Sequence, residues 1–157
     1  MRARLHIQLR DRHGHLLAER QAGNAVLQGG AGLLARLFAG QGSGISHMAV
    51  GSSDAPETEA FATTALQDAT EVPIGADAFQ IDAPDPVRRV VRVRLRATVP
   101  AAAAVGTLRE AALLSRAGEV ATLYNRVVFS PIDKGNDHEL TLFWEVAFPY
   151  GDLQGLL

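Results

Sequence analysis

Between Val91 and Ala97 the chain alternates without a break. Val91, Val93, Leu95 and Ala97 take one side of an extended strand, and Arg92, Arg94 and Arg96 take the other. Such a strand has one face for a core and one for solvent. The same period appears in Leu5, Ile7 and Leu9, set between His6, Gln8 and Arg10, and again in Leu140, Leu142, Trp144 and Val146. Further strands are expected at Ile45–Val50, Thr107–Leu114 and Val120–Phe129, with Pro100 and Pro131 as stops. Turn signals at Asp11–Gly14, Arg116–Glu119 and Asp133–Asp137 join them as hairpins.

One segment departs from this period. Asn24 is the expected N-cap of a helix with Leu27, Leu34 and Phe38 near one face and Leu33 and Leu37 beside them. Gly29, Gly30 and Gly32 each weaken that helix by about 1 kcal/mol relative to Ala. They point to close approach by another backbone, or to a true start near Ala31. Gly40 and Gly42 end it. A polar loop rich in small residues occupies 51–64, and 65–86 supplies one or two short extended pieces. The expected fold is mainly β (α+β): an antiparallel β-sandwich with one inserted α-helix near residues 27–39, in one domain spanning 1–157.

Composition narrows function by exclusion. The 157 residues carry a formal net charge of −2, which gives no strong pull toward nucleic acid or an anionic membrane. There is no cysteine, hence no disulfide, thiolate nucleophile or Cys-based zinc site. No apolar run approaches the length of a membrane span. The first residues alternate charge with apolar side chains where a signal peptide needs a continuous apolar block, so the chain is expected to begin as folded protein in the cytoplasm of the cell that makes it.

The chemical motifs are incomplete. Ser52-Ser53-Asp54 lacks the flanks of a nucleophile elbow. Gly29-Gly30-x-Gly32 lacks the Lys-Ser/Thr of a phosphate loop. Asp133 and Asp137 lack the ligand spacing of a calcium loop, and with Asp82 and Asp85 they read as turn formers. His13 and His15 flank a glycine and His6 lies across the hairpin, but spacing fixes no third ligand. His47, at a strand entry, suits a subunit contact. The expectation is a non-enzyme with no catalytic residue, cofactor or metal. Arg92, Arg94 and Arg96 are the strongest charge feature, at roughly the phosphate spacing of a nucleic-acid strand. With no aromatic interleaved for stacking, pairing with Glu110, Glu119, Glu139 and Glu145 on neighbouring strands or turns is the favoured reading, with a subunit interface second and nucleic acid last. Of Phe129, Phe143, Trp144 and Phe148, those facing outward suit subunit packing.

Several ordered pieces resemble small structural proteins of tailed bacteriophages. They are Asn24-x-Val26-x-x-x-Gly30-x-x-Leu33-Leu34-x-x-Leu37, then Ile45-x-x-Met48-Ala49-Val50-Gly51-Ser52-Ser53-x-Ala55-Pro56, then Thr64-Ala65-Leu66-x-x-Ala69-x-Glu71. Leu108–Leu114, Asn125–Lys134 and Leu140–Val146 continue the likeness. Ala112 and Leu114 stand where that family usually has Gly and Phe. The resemblance implies a non-enzymatic structural subunit of a phage or phage-like contractile particle, associated with tail, baseplate or fibre, made in the bacterial cytoplasm. Its partners would be other particle proteins, in a homo-oligomer or symmetric assembly. The expected interface residues are Ser52, Ser53, Pro56 and Phe61 on the loop and Arg92, Arg94 and Arg96 on the strand. A surface-decoration or glycan-binding module is the alternative, and an arginine-strand contact with nucleic acid a more distant one.

Overall fold

A computed structural model describes residues 2–152. In chain order its elements are β1 (Arg2–Arg10), β2 (Leu16–Gly23), β3 (Ala25–Val26), α1 (Gln28–Phe38), β4 (His47–Gly51), β5 (Thr70–Pro73), a 3-10 turn (Ala76–Ala78), β6 (Gln80–Ile81), β7 (Val90–Val99), β8 (Gly106–Ala117), β9 (Val120–Leu123), β10 (Asn125–Lys134) and β11 (Glu139–Pro149). They form two antiparallel sheets packed as a sandwich, as expected, with one helix. The first sheet runs β2-β1-β11-β7-β6 and the second β3-β10-β8-β4-β5, with β9 paired to β8.

The alternation predicts the first sheet closely. Ala3, Leu5, Ile7 and Leu9 of β1, Leu95 and Val99 of β7, and Leu140, Leu142, Trp144 and Val146 of β11 are buried on its inner face. They meet Met48, Val50, Ala111, Leu113, Val127, Phe129 and Ile132 of the second sheet. Each Leu, Ile, Val, Phe or Met among them contributes about 1.5–3 kcal/mol by leaving water, and the alanines less.

Other expectations need correction. Asn24 does not cap the helix. Its Oδ1 accepts a hydrogen bond from the Ala3 N–H at 3.0 Å, and the helix begins after Leu27. Phe38 is 96 % exposed rather than packed, because the face turned inward is Gly30, Leu33, Leu34 and Leu37. The predicted strand Val120–Phe129 divides at Tyr124. The ladder skips there, Asn125 Oδ1 takes the Leu113 N–H at 2.8 Å, and the freed Tyr124 carbonyl accepts from Leu27 N at 3.0 Å. Pro131 does not end β10, because it sits in the register shift between Val128 and Ile132 where no ladder N–H is needed.

The second turn is correspondingly shorter than Asp133–Asp137. Asp133 and Lys134 belong to β10. The buried Lys134 ammonium donates to the carbonyls of Pro100 (3.1 Å) and Ala101 (2.7 Å), and burial lowers its pKa. Beyond Pro149, Tyr150 N–H donates to the Arg89 carbonyl at 3.0 Å, and residues 153–157 lie outside the described residues.

Candidate functional site

The loop following β4 lies over the outer face of the second sheet. Its neck is closed by Ser52 N–H donating to the Gln67 carbonyl at 3.0 Å and by Ser52 Oγ donating to Asp68 at 3.1 Å. Beneath it sit two charged side chains that strand periodicity would leave in solvent, Glu110 of β8 (1 % exposed) and Arg126 of β10 (5 %). Arg126 Nε donates to Glu110 Oε1 at 2.8 Å. The other Glu110 oxygen accepts the backbone N–H groups of Ser53 and Gln67, both at 2.9 Å, one from each end of the loop.

The remaining Arg126 donors reach the loop as well. Nη1 meets the Ala55 carbonyl at 2.7 Å and Glu57 at 3.1 Å, and Nη2 meets the Ser53 carbonyl at 3.2 Å. Thr63 Oγ1 donates to Glu57. One guanidinium and two carboxylates thus spend their bonds holding the loop in a single arrangement. Removing one partner of such a buried set costs about 3–5 kcal/mol, since the other is left charged and dry.

Two glycines permit the arrangement. A Cβ on Gly51 would lie 2.7 Å from Glu110 Oε2 and 2.8 Å from the Gln67 carbonyl. A Cβ on Gly30 would lie 2.0 Å from the Tyr124 carbonyl, which is the close backbone approach the glycine-rich helix implied. Gln28 N–H, at the helix start, donates to the Phe61 carbonyl at 2.8 Å and ties helix to loop. Between loop and sheet, Leu27, Ala49, Leu66, Ala112, Leu114 and Leu123 form a second, smaller apolar cluster.

The predicted loop residues therefore divide. Ser52 and Ser53 are half-buried at the neck and committed to internal bonds. Pro56 and Phe61 (42 % exposed) stand on the rim. Sequence reasoning missed Glu110 and Arg126 as a pair because nothing local marks them; the loop that covers them is distant in the chain.

The arginine strand lies on the outer face of the first sheet. Arg92 pairs with Asp85 at 2.6 Å and approaches Glu145 at 3.9 Å, and Arg94 pairs with Asp82 at 2.9 Å. Of the expected partners Glu110, Glu119, Glu139 and Glu145, only Glu145 comes within ion-pair reach of these arginines; Glu110 is withdrawn into the loop cluster. Asp82 and Asp85 were expected to form turns. Asp85 does so, accepting the N–H groups of Val87 and Arg88, which hold its carboxyl below the usual range, and it binds Arg92 besides. Arg96 has no side-chain partner among the described residues.

The histidines are accounted for by neighbours. His6 contacts Glu19 across the hairpin, His15 meets Asp11 at 3.1 Å, and His47 Nδ1 lies 2.8 Å from Ser46 Oγ. Among the described residues no three His, Asp or Glu side chains converge as a metal site. No helix there is long and apolar enough to cross a membrane. Comparison with protein-family models, curated proteins and solved structures gave no match.

Proposed function

We propose that this chain is a non-enzymatic structural subunit of a bacteriophage or phage-like particle, of the tail, baseplate or fibre region, acting through subunit contacts in a homo-oligomer or symmetric assembly. The observation that supports it is the loop held by Arg126, Glu110 and Glu57. A long loop with an exposed rim, ordered by a buried polar cluster, offers a contact surface already in its bound shape, which lowers the entropy cost of docking. Pro56 and Phe61 supply the exposed contact, and the sandwich beneath supplies rigidity. The ordered resemblance from Asn24 to Phe148 points to the same class.

The direct test is mass spectrometry of sedimented particles from the cell that encodes the chain. The chain is expected at a fixed ratio to the major particle proteins. Its absence from every sedimenting fraction while it is present in the soluble extract would refute the proposal. In such particles Phe61→Asp should lower incorporation while leaving the folded monomer intact.

A further inference from the structure

The outer face of the first sheet carries a broad groove of about 990 Å3 that runs across its strands. Two rows of cross-strand neighbours make its floor. One is Gly23, Arg4, Glu145, Arg94 and Gln80; the other is Gln21, His6, Phe143 and Arg96. Asp77, in the 3-10 turn, stands at one end. We propose that this groove binds an acidic oligosaccharide, with its carboxylates on Arg4 and Arg96 and a sugar ring against Phe143 and His6.

Arg4 and Arg96 carry the inference. Arg92 and Arg94 are occupied by Asp85 and Asp82, but the guanidinium groups of Arg4 and Arg96 make no hydrogen bond or ion pair among the described residues. A free guanidinium fork matches a carboxylate bidentately. The two lie on β1 and β7, separated by β11, so they are about 10 Å apart across the sheet and offset along it. One small anion does not span that distance, whereas an oligomer bearing a carboxylate on successive rings does.

Between them lie the rings of His6 and Phe143, with centroids 5.8 Å apart and Phe143 half-exposed. An apolar ring surface suits the C–H face of a sugar. The Gln21 and Gln80 amides offer donors and acceptors for hydroxyl groups. Stacking decides against nucleic acid: Phe143 is the one phenyl ring facing out of the groove, so successive bases have no platform. Glu145, in register between Arg4 and Arg94, and Asp77, at the groove end, accept hydrogen bonds from sugar hydroxyl groups. The groove's outward-facing side chains include no large aliphatic residue, so an apolar peptide has nothing to bury there.

The test is calorimetric titration of the full chain with oligogalacturonate and, separately, oligosialate. A neutral maltooligosaccharide of equal length, a polyglutamate of equal charge and a single-stranded oligonucleotide serve as comparisons. At least one acidic oligosaccharide is expected to bind more tightly than all three. Arg4→Ala and Arg96→Ala should each weaken it about tenfold or more, the loss of one charge-assisted hydrogen-bond pair, at an unchanged thermal midpoint. Phe61→Asp, on the loop over the opposite sheet, should bind as the parent does, which separates this site from the loop of the proposed function. The inference is overturned if neither acidic oligosaccharide binds, if the neutral one binds equally well, or if polyglutamate or the oligonucleotide binds as tightly.

Discussion

Both sheets bury an apolar inner face, yet they treat their outer faces in opposite ways. The second sheet hides its outer face under a loop and a helix start, and charges placed there become internal. The first leaves its outer face bare, and charges placed there stay wet. Glu110–Arg126 and Asp82–Arg94 have nearly the same N···O separations, 2.8 and 2.9 Å. They differ in what surrounds them. The first pair is almost fully buried and binds four loop groups besides Glu57; the Arg94 side chain is half-exposed and holds down nothing further. Distance alone therefore says little about what an ion pair contributes, and environment decides.

The sharpest way to break this comparison is Arg126→Ala. Glu110 and Glu57 would remain in a dry site without their cation, and the loop would lose three of its anchors. The expected loss is about 3–5 kcal/mol in urea unfolding, with new protease cleavage between residues 53 and 67. A loss below about 1 kcal/mol with the loop still protected would show that the loop is held by its apolar contacts with Leu27 and Leu66 instead.

Next in size is a pair of helix variants. Gly30→Ala places a methyl 2.0 Å from the Tyr124 carbonyl, so α1 must move off β9 and β10, at about 1–3 kcal/mol. Gly32→Ala meets only the end of Arg36, at 3.4 Å, and should stabilise the helix by about 0.4–1 kcal/mol through the unfolded chain. Opposite signs at positions two residues apart, read from urea midpoints, would tie the helix to the covered face. Stabilisation by both would mean that Gly30 makes no such contact.

Acid should act on the rim of the covered sheet. Hydrogen bonding from Arg116, at 2.7 and 2.5 Å, holds the Glu71 carboxyl below its usual value of 4.5. A depressed folded-state pKa means that the folded chain binds fewer protons than the unfolded one in that window. The pair's contribution is complete above about pH 4.5 and is lost as pH falls through the folded value. Urea midpoints from pH 6 to pH 3 should therefore fall less steeply for Glu71→Gln than for the parent. Parallel curves would remove Glu71 from the account of acid sensitivity.

How much of this was legible in the sequence follows the same division. Leu5, Ile7, Leu9 and Leu140–Val146 show their inner face by period alone, because the first sheet's other side meets water and each strand stays half polar. The second sheet is covered on both sides in part, so Glu110, Ala112 and Leu114 carry no periodic mark of burial. Glu110 reads in the sequence as a partner for the arginine strand, and Arg126 carries no local mark, because the groups they bind, Ser53 to Gln67, arrive from more than 40 residues away. Asn24 and Pro131 misled for a related reason. Local rules made them a cap and a stop, while a contact with Ala3 and a bulge in β10 set their roles.

The smallest expected effect is the other half of the comparison. Arg94→Ala removes a guanidinium that bonds Asp82 from an exposed position, where water replaces it at once on both partners. The Asp82 backbone N–H still donates to the Arg92 carbonyl at 2.9 Å, so the β6–β7 edge keeps its register without the side chain. The unfolding midpoint is expected to match the parent within error, in low and in high salt alike. A clear loss of stability, larger at low ionic strength, would show that the bare face is held together by its charges after all, and the two faces would then differ in degree rather than in kind.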